Sequence, residues 1–458
     1  MGERFDLQPL LEIDLAQPVG QLRAAPVCLG PNGPHAFLTA YAADFDVDPY
    51  VEMFFFPSDT LKLALFDLNG KLRWKRDLGR GVVPGLWFCP VCPFDLDGDG
   101  REELWFVNNL DPKHPLGLSN YVLERLDPET GKTTGQWPWP RLPRDESLSH
   151  TFRNFILGGN AKEAPVLVTA QGTYEDMCLQ GWSRDFQPRW SIKIGRDDPG
   201  ARGSHRTAVV DLDGDGVDEV LWGERCIRLD TGAEVFCADR ESYRGHSDVA
   251  DPVFDRASGK WFFYTCRESD DRGTPRVALY DHKGARVWGA LDHGHIDMGW
   301  SARLGEAGGL VSMAIRIGKK TCGPDGRYHQ GMEEFTFETL TGCPIKLPYS
   351  IYRALPVDFD GDGSHELVRG IASGNGEALD ASGNVIGQLG APVALASKFM
   401  PRPGEQVLAY YPDGKLRVWA DKRAEDSDAA KARYANPFYA TNARLCATGY
   451  NLGTVSGA

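Results

Sequence analysis

Short turn-forming segments recur along almost the whole chain of 458 residues. Most of them join an Asp or Thr to a glycine, which favours the tip of a β-hairpin because glycine accepts positive φ without steric cost. Eight such tips occur, at Asp67–Gly70, Asp127–Gly131, Ser183–Asp185, Asp230–Gly232, Asp281–Gly284, Thr339–Gly342, Asp380–Gly383 and Pro412–Gly414. With the apolar segments around them they define units of about 40 to 65 residues, each with room for four short strands. This pattern predicts an all-β fold, an eight-bladed β-propeller, with seven blades as the alternative.

The N-terminal segment predicts how the ring closes. Leu11–Leu15 followed by Pro26–Cys28 parallels Trp74–Leu78 followed by Pro90–Cys92, so the chain begins with an outer strand. We expect this strand to complete the last blade. A set of separate β-sandwiches would need Pro- or Ser-rich linkers, and the sequence has none, so residues 1–458 are predicted to form a single propeller domain. Only the Ala-rich stretch 424–434 has a helical composition, and it is equally compatible with a loop.

Three acidic loops share one formula, in which carboxylates stand at positions 1, 3, 5 and 9 around two glycines. The loops contain Asp95, Asp97, Asp99 and Glu103; Asp211, Asp213, Asp215 and Glu219; and Asp358, Asp360, Asp362 and Glu366. Such a set of oxygen ligands can surround calcium, with a backbone carbonyl at position 7. An EF-hand would need glutamate at position 12, where these loops have Phe106, Trp222 and Arg369. We therefore predict calcium loops between strands, the alternative being plain solvated turns.

Charge and composition limit the classes of partner. The chain has a net charge of −14, of which the twelve loop carboxylates carry −12, so nucleic acid is not an expected partner. It contains no apolar run near the roughly 20 residues of a membrane span and begins without the pattern of a secretory signal. We therefore expect a cytoplasmic monomer, although a processed secreted form is an alternative. The ten cysteines lack a disulfide framework, and Cys89 and Cys92 are expected to be buried rather than to bind metal.

Histidines and arginines precede the predicted inner strand of several consecutive units. The acidic loops join inner strands to second strands, so residues just before each inner strand must gather on the opposite face of the ring, around its axis. Loops joining second and third strands reach the same face. The residues predicted to meet there include His150, His205, Arg206, Arg244, His246, His295 and Arg353, with Tyr174 and Arg267 from the second kind of loop. The sequence thus predicts a basic, imidazole-rich site at the mouth of an acidic ring.

Two other interpretations of the histidines remain open at this point. A single histidine at a strand end is commonly a satisfied polar residue, whereas three or four together can bind a transition metal. Adjacent residues such as His205 and Arg206 point to opposite sides of a strand, so at most one of them faces the axis fully.

The residues from about 170 to 270 resemble the rhamnogalacturonan lyases of polysaccharide lyase family 11. The resemblance rests on Gly203-Ser204-His205 leading into the second acidic loop, on Glu219–Gly223, and on Gly245-His246-Ser247-Asp248. Gly172-Thr173-Tyr174 resembles the segment that comes before this signature in the family. Arg267-Glu268 stands where the family has a His-Glu-Asp run. The resemblance implies a calcium-rich eight-bladed propeller. The small extra β domain of that family has no counterpart here, and Asp292–His295 matches nothing in its pattern.

This resemblance implies cleavage of an acidic oligosaccharide by β-elimination, in which the proton at C5 of a uronate is removed and the sugar at O4 is expelled. His205 or His246 would then be the base and Tyr174 the acid or its partner. Arg206, Arg244, Arg267 or Arg353 would neutralise the carboxylate, and His150 and His295 would contact the substrate. Three alternatives remain: a lyase for another uronate of rhamnosyl-glucuronate or ulvan type, a non-catalytic calcium-dependent carbohydrate-binding propeller, and a metal-dependent lyase or hydrolase.

Overall fold

A computed structural model of the protein describes residues 4–142, 147–268, 273–305, 308–318, 321–322, 328–329, 331–371 and 374–458. These residues form eight four-stranded antiparallel sheets, which confirms the eight-bladed propeller rather than the seven-bladed alternative. Strands of each blade are labelled a to d from the ring axis outward. Blades 1 to 8 follow the order of their a strands in the chain.

The strands of the first four blades follow one another without exception. Strands a to d are Gln21–Val27, Ala36–Ala42, Lys62–Asp67 and Leu72–Asp77 in blade 1; Val91–Phe94, Glu103–Asn109, Tyr121–Leu126 and Thr133–Pro138 in blade 2; Asn154–Ala161, Ala164–Gln171, Met177–Trp182 and Pro188–Ile194 in blade 3; and Ala208–Val210, Glu219–Trp222, Arg225–Arg228 and Glu234–Cys237 in blade 4.

The last four blades contain the ring closure. Strands a to d are Ser247–Asp255, Lys260–Arg267, Val277–Asp281 and Arg286–Ala290 in blade 5; His295–Leu304, Gly309–Ile317, Met332–Glu338 and Pro344–Ile345 in blade 6; Ala354–Val357, Glu366–Arg369, Glu377–Leu379 and Val385–Gln388 in blade 7; and Val393–Ser397, Gln406–Tyr410, Lys415–Asp421 and the N-terminal Leu7–Asp14 in blade 8. A hairpin of Thr321–Cys322 with Tyr328–His329 is inserted in blade 6. The predicted closure by the first strand is therefore confirmed.

Burial along each blade explains why these segments form strands. In blade 1, strands a and b are buried at every residue, whereas strand d alternates between exposed and partly exposed residues. Inner strands covered on both faces have continuous apolar sequences, and an outer strand covered on one face alternates. Seven of the predicted hairpin tips join strands c and d. The eighth, Pro412–Gly414, instead joins b to c, because the N-terminal strand supplies d in that blade.

An aromatic ring on one blade packs on the hairpin tip of the next. The indole of Trp190 donates to the carbonyl of Leu229 at 2.8 Å, and a Cβ on Gly232 would lie 2.6 Å from that ring. Trp74 makes the same contacts with Pro128 and Gly131 of the following blade. The glycine of the tip therefore serves two purposes, since it adopts positive φ and leaves room for the ring.

The C-terminal residues 428–458, here called the plug, fill the central channel. They contain helices Asp428–Ala435 and Pro437–Ala443 and 3-10 helices Arg444–Ala447 and Asn451–Gly457. Asn442 exchanges hydrogen bonds with both backbone groups of Val209 on strand a of blade 4. Ser456 donates to the carbonyl of Ser301 on strand a of blade 6. Other helical segments are short, namely Leu148–Phe152 and the 3-10 helix Leu118–Asn120.

The two faces of the ring carry different loops, as predicted. The face where the a strands begin, here called the mouth, also carries the b–c loops. The opposite face carries the a–b loops, including the three acidic loops of blades 2, 4 and 7. None of the helices in the described part of the chain is both long and apolar enough to cross a lipid bilayer. Cys89 and Cys92 are buried, as expected, and the nine cysteines whose side chains are described form no disulfide with one another.

Candidate active site at the mouth of the ring

Histidines from three consecutive blades meet at the mouth. His205 and His246 precede strand a of blades 4 and 5, and His295 begins strand a of blade 6. Strand a of blade 5 adds Asp248, and Glu268 directly follows strand b of that blade. Their convergence follows from topology, because the beginning of strand a and the end of strand b lie at the same edge of an antiparallel blade.

Tyr174, His205 and Asp248 form a chain of polar contacts. The hydroxyl of Tyr174 lies 3.0 Å from Nε2 of His205, and Nδ1 of the same ring lies 2.6 Å from Oδ1 of Asp248. When Nδ1–H points at Asp248, Nε2 can accept the phenolic proton. A proton acceptor oriented by a carboxylate and bonded to a hydroxyl is the arrangement that general acid–base catalysis requires.

His246, Glu268 and His295 form a second chain beside the first. Nε2 of His246 contacts one oxygen of Glu268, and Nε2 of His295 lies 3.0 Å from the other. His295 also lies 3.4 Å from Asp297. The ring of Tyr174 packs edge-on against His246 with centroids 4.0 Å apart. Tyr174 therefore contacts both sets of residues, His205 through its hydroxyl and His246 through its ring.

The surroundings of the three histidines shift their pKa values in different directions, so their charges differ at neutral pH. Burial, reinforced by the guanidinium of Arg153, holds the pKa of His205 well below its ordinary value. Burial also lowers the pKa of His246 to about 4. For His295 burial acts in the same direction, but hydrogen bonds with Asp297 and Glu268 outweigh it and raise the pKa to about 9. At neutral pH the site therefore combines neutral imidazoles that can accept a proton with one imidazolium.

The floor of the site is built from aromatic rings and one arginine. The indole of Trp87 lies 5.2 Å from the ring of His205, and Tyr450 of the plug lies 5.4 Å from it. The guanidinium of Arg153 stacks on Trp87 at 4.7 Å and faces Tyr174 at 5.3 Å. Tyr450 is held by its backbone, whose N–H donates to the carbonyl of His205 at 2.9 Å.

The same cluster has the composition of a divalent cation site. Ligand atoms of His205, His246, Asp248 and Glu268 all lie within 4.8 Å of one another. Both oxygens of Asp248 are buried; Oδ1 lies 2.6 Å from Nδ1 of His205, whereas Oδ2 receives no hydrogen bond from the described residues. Burial and the neighbouring Glu268 and Asp297 raise the pKa of Asp248. A buried carboxylate with one oxygen that lacks a donor, beside two neutral imidazoles, fits the ligand chemistry of a divalent metal ion.

Two arginines predicted to contact substrate lie behind the site instead of facing its opening. Arg206 is buried and bonded to Asp251, to the carbonyl of Tyr450 and to that of Gly299. Arg267 is buried and paired with Glu224 and Asp239. A substrate carboxylate would have to displace these partners, so the structure gives both arginines a positioning role.

The other predicted residues lie on the rim. His150 has its ring 5.7 Å from Tyr174. Arg244 is exposed in the segment before His246, and Arg353 stacks at 5.0 Å on Tyr352 of blade 7, further around the mouth.

Several residues of the site were not assigned a role from sequence. Asp248 and Glu268 lie within the motifs that carry the family resemblance, so their positions were available as a signal. Arg153 stands beside His150 before an inner strand and was another visible candidate. Tyr450 carries no such signal, because the plug that delivers it is far from His205 in sequence.

The acidic loops have the geometry of cation sites at the opposite face. In each loop the glutamate at position 9 accepts the N–H at position 2, which fixes one oxygen and leaves the other facing the loop. Oε1 of Glu219 and Oδ1 of Asp358 are buried without a hydrogen-bond partner among the described residues. Three carboxylates in each loop place ligand atoms within 4.8 Å of one another. These residues fit a hard cation such as calcium.

Comparisons with known proteins support the predicted resemblance. The chain is 26% identical over 363 residues to the rhamnogalacturonan exolyase YesX of Bacillus subtilis, a match covering 64% of this chain and 58% of that protein. It is 25% identical over 196 residues to the rhamnogalacturonan endolyase YesW of the same organism, covering 36% and 32%. The matches thus span less than two thirds of either curated relative. No family model matches the chain.

Solved structures extend the likeness of fold to almost the whole chain. The exotype rhamnogalacturonan lyase YesX superimposes with a TM-score of 0.76 at 20% identity, covering 97% of this chain and 82% of that one. YesW gives 0.71 at 17% identity, covering 98% and 81%. The Bacillus licheniformis rhamnogalacturonan lyase PL11 gives 0.68 at 16% identity, covering 99% and 81%. The predicted resemblance to the rhamnogalacturonan lyases of polysaccharide lyase family 11 is confirmed, in sequence over most of the chain and in fold over nearly all of it.

Proposed function

We propose that the protein is a polysaccharide lyase that cleaves a uronate-containing oligosaccharide of rhamnogalacturonan type by β-elimination. The observation that carries this proposal is the contact chain from the Tyr174 hydroxyl through His205 to Asp248. The substrate class comes from the relatives, since YesX and YesW are a rhamnogalacturonan exolyase and endolyase. A chain acting on rhamnosyl-glucuronate or ulvan-type polymers would use the same chemistry.

The reaction needs a base, a positive group near the carboxylate, and a proton for the leaving oxygen. The C5–H bond of the uronate breaks, its electron pair forms the C4–C5 double bond, and the C4–O4 bond breaks with its pair on O4. We assign removal of the C5 proton to the Tyr174–His205 pair, with Tyr174 as the group that touches substrate and His205 as the final proton acceptor. Return of that proton to O4 through Tyr174 restores the starting state.

Positive charge at the site comes from His295, whose imidazolium persists at neutral pH, and from the guanidinium of Arg153, which faces Tyr174 from the floor. The ring of His295 is 36% exposed and its buried Nε2 faces Glu268, so a uronate carboxylate would approach the exposed part of the ring. Neutralising that carboxylate makes the C5 proton more acidic, since the charge that develops on it in the transition state is then stabilised. A divalent cation bound by His246, Asp248 and Glu268 would supply further positive charge at the same place, while both nitrogens of His205 stay engaged with Tyr174 and Asp248.

The decisive experiment measures the ultraviolet absorbance of an unsaturated uronate after incubation with a panel of acidic chains. Rhamnogalacturonan, polygalacturonate, rhamnosyl-glucuronate and ulvan-type oligosaccharides form the panel, and His205→Ala is the inactive control. We expect absorbance to rise with rhamnogalacturonan fragments and not with polygalacturonate. A protein that binds these chains without raising the absorbance on any of them is a carbohydrate-binding propeller, and the lyase proposal would then be abandoned.

A further inference from the structure

A cavity lies on the face opposite the mouth, beside the second acidic loop. It has a volume of about 450 Å³, within the range of ~300–1,000 Å³ that is typical of small-molecule sites. Its lining comes from the acidic loop of blade 4, from the start of strand b in blade 5 and from the plug, which contribute Asp211 and Asp213, Trp261, and Pro437 with Phe438. None of these residues belongs to the site at the mouth.

One wall of the cavity is a layer of aromatic rings. The ring centroid of Trp261 lies 5.0 Å from that of Phe254 on strand a of the same blade and 4.8 Å from that of Phe438. Trp261 is partly exposed, whereas Phe438 is 4% exposed and its N–H donates to the side chain of Asn436 at 3.0 Å. An indole held by two neighbouring rings can pack on the apolar face of a ligand at little cost in side-chain entropy.

The opposite wall is the second acidic loop, whose formula leaves coordination positions for a ligand. It supplies one oxygen from each of four carboxylates and one from the backbone carbonyl at position 7, whereas calcium binds roughly six to eight oxygens. Glu219 offers a single oxygen, because its other oxygen accepts the N–H of Leu212 at 2.9 Å. The remaining oxygen is buried without a hydrogen-bond partner among the described residues. A calcium ion held here would therefore accept about one to three further oxygens.

The second loop is open to the cavity, whereas the third loop is covered by the chain itself. A Cβ built on Gly214 or Gly216 would meet nothing within 4 Å. In the third loop, a Cβ on Gly363 would lie 2.8 Å from Cβ of Ala429 in the plug. The same carboxylate formula is thus sealed in one blade and accessible in the other.

The two walls together select a ligand with two kinds of surface. It needs adjacent oxygen atoms for the cation and an apolar ring face for Trp261, a combination that a sugar with neighbouring hydroxyls provides. Four carboxylates already exceed the charge of one divalent cation, so neutral hydroxyls suit the open positions better than a further carboxylate. We propose that the cavity is a second, non-catalytic carbohydrate site, in which calcium in the second loop binds two adjacent hydroxyls of a neutral sugar that packs on Trp261.

The first test examines the aromatic wall by saturation-transfer NMR titration with methyl glycosides of neutral hexoses and 6-deoxyhexoses in the presence of calcium. For Trp261→Ala we expect Kd to rise about tenfold, since one aromatic contact is lost. Trp261→Phe should stay within about threefold of the wild type. Val287→Ala, at a residue 46% exposed on strand d of the same blade, is the matched control and should not change Kd. Equal affinity of Trp261→Ala and the wild type would overturn the proposal.

The second test examines the cation and leaves the aromatic wall untouched, so it decides the question even where Trp261→Ala fails to fold. Asp213→Asn should lose the binding, whereas Asp97→Asn, at the same position of the first loop, should keep it. A glycoside whose adjacent hydroxyls are both methylated should not bind. Binding that persists in Asp213→Asn, or equal binding of the methylated glycoside, would overturn calcium bridging and with it the proposal.

These measurements are independent of the proposed lyase function, because the glycosides contain no uronate and cannot undergo the elimination. A protein without lyase activity that binds them in a Trp261- and Asp213-dependent manner would support the second site alone. An active lyase that binds none of them, or binds them without regard to both residues, would overturn the second site and leave the function at the mouth intact.

Discussion

Tyr174 and His205 divide the work of one proton transfer between an accessible group and a buried one. His205 is 5% exposed, so a sugar cannot contact its nitrogen directly without rearrangement, whereas Tyr174 is partly exposed and shares a hydrogen bond with it. Burial raises the pKa of Tyr174, so the phenol cannot act alone as a base near neutral pH. Coupling to the neutral His205 supplies the missing basicity, because the proton has an acceptor in place.

Replacing Tyr174 by Phe tests this division of roles. The hydroxyl is lost while the ring that packs on His246 remains, so we expect kcat to fall about 10²–10⁴-fold with little change in KM or melting temperature. Steady-state kinetics and circular dichroism of the variant measure both effects. Tyr352→Phe, at the mouth in blade 7, is the matched control and should retain activity. A Tyr174→Phe enzyme within threefold of the wild-type kcat would exclude the hydroxyl from proton transfer.

The pH dependence of kcat/KM should follow the charge of His295. Its pKa is raised to about 9, so the positive charge is fully present at neutral pH and is lost as the pH rises through that value. His205 has its pKa lowered and is therefore already neutral, as a base must be, throughout this range. We expect kcat/KM to decline above about pH 9 in the wild type. His295→Gln should be slower and should lack this decline, and an alkaline limb retained at the same pH would assign it to another group.

At the level of the strand, the contact between an outer-strand aromatic ring and the next hairpin tip holds neighbouring blades together. Trp190 on Gly232 and Trp288 on Gly342 repeat the arrangement of Trp74 on Gly131, each with an indole N–H bonded to a backbone carbonyl. Each tip glycine has positive φ and a ring within 3 Å of where a Cβ would stand. A larger residue at the tip would push the neighbouring blade away, so the packing of adjacent blades requires glycine at the tip. This requirement accounts for the repeated pairing of a tryptophan on an outer strand with a glycine at the next hairpin tip.

Gly232→Ala and Gly259→Ala form a matched pair that isolates this contact. Both glycines have nearly equal positive φ, 71° and 68°. A Cβ at Gly232 would meet the Trp190 ring at 2.6 Å, whereas one at Gly259 would meet nothing within 4 Å. Gly259→Ala should cost about 1 kcal/mol from backbone strain alone, and Gly232→Ala should cost about 1–3 kcal/mol more because the ring must move. Urea unfolding measures both, and equal losses would refute a packing role for the tip.

For the molecule as a whole, the third acidic loop is where the two ends of the chain meet. Arg4 near the N-terminus bonds to Asp360 and Asp362 at 2.8 Å. The N–H of Ser427, directly before the plug, donates to the carbonyl of Gly361, and Tyr434 of the plug donates to Asp358 at 3.2 Å. Arg433 pairs with Glu405, whose backbone and side chain bond in turn to Asp358. A cation in this loop would thus stabilise ring closure and plug position together.

Removal of divalent cations should therefore loosen the plug as well as lower the melting temperature. We expect a chelator to reduce the melting temperature, calcium to restore it, and trypsin to cleave the chelated protein at Lys431, an exposed residue of the plug. Asp360→Asn should reproduce the cleavage. Asp213→Asn changes the same position of the second loop. Arg228 of the same blade pairs with Asp215 in that loop, so this variant should lower stability without exposing Lys431. Identical proteolysis in the presence and absence of chelator would contradict this coupling.

Sequence alone determined the repeating part of this protein. Hairpin tips, alternating outer strands and the carboxylate formula are local patterns of a few residues, so they predicted eight blades, closure by the first strand, and the face on which His205, His246 and His295 meet. Tertiary structure decided what fills the channel and which groups remain available. Residues 424–434 gave no sign of a plug, and no local pattern could have paired Arg206 with Asp251 or placed Tyr450 under His205. These contacts depend on three-dimensional packing between distant segments, and the burial that results is what sets the charge of each histidine.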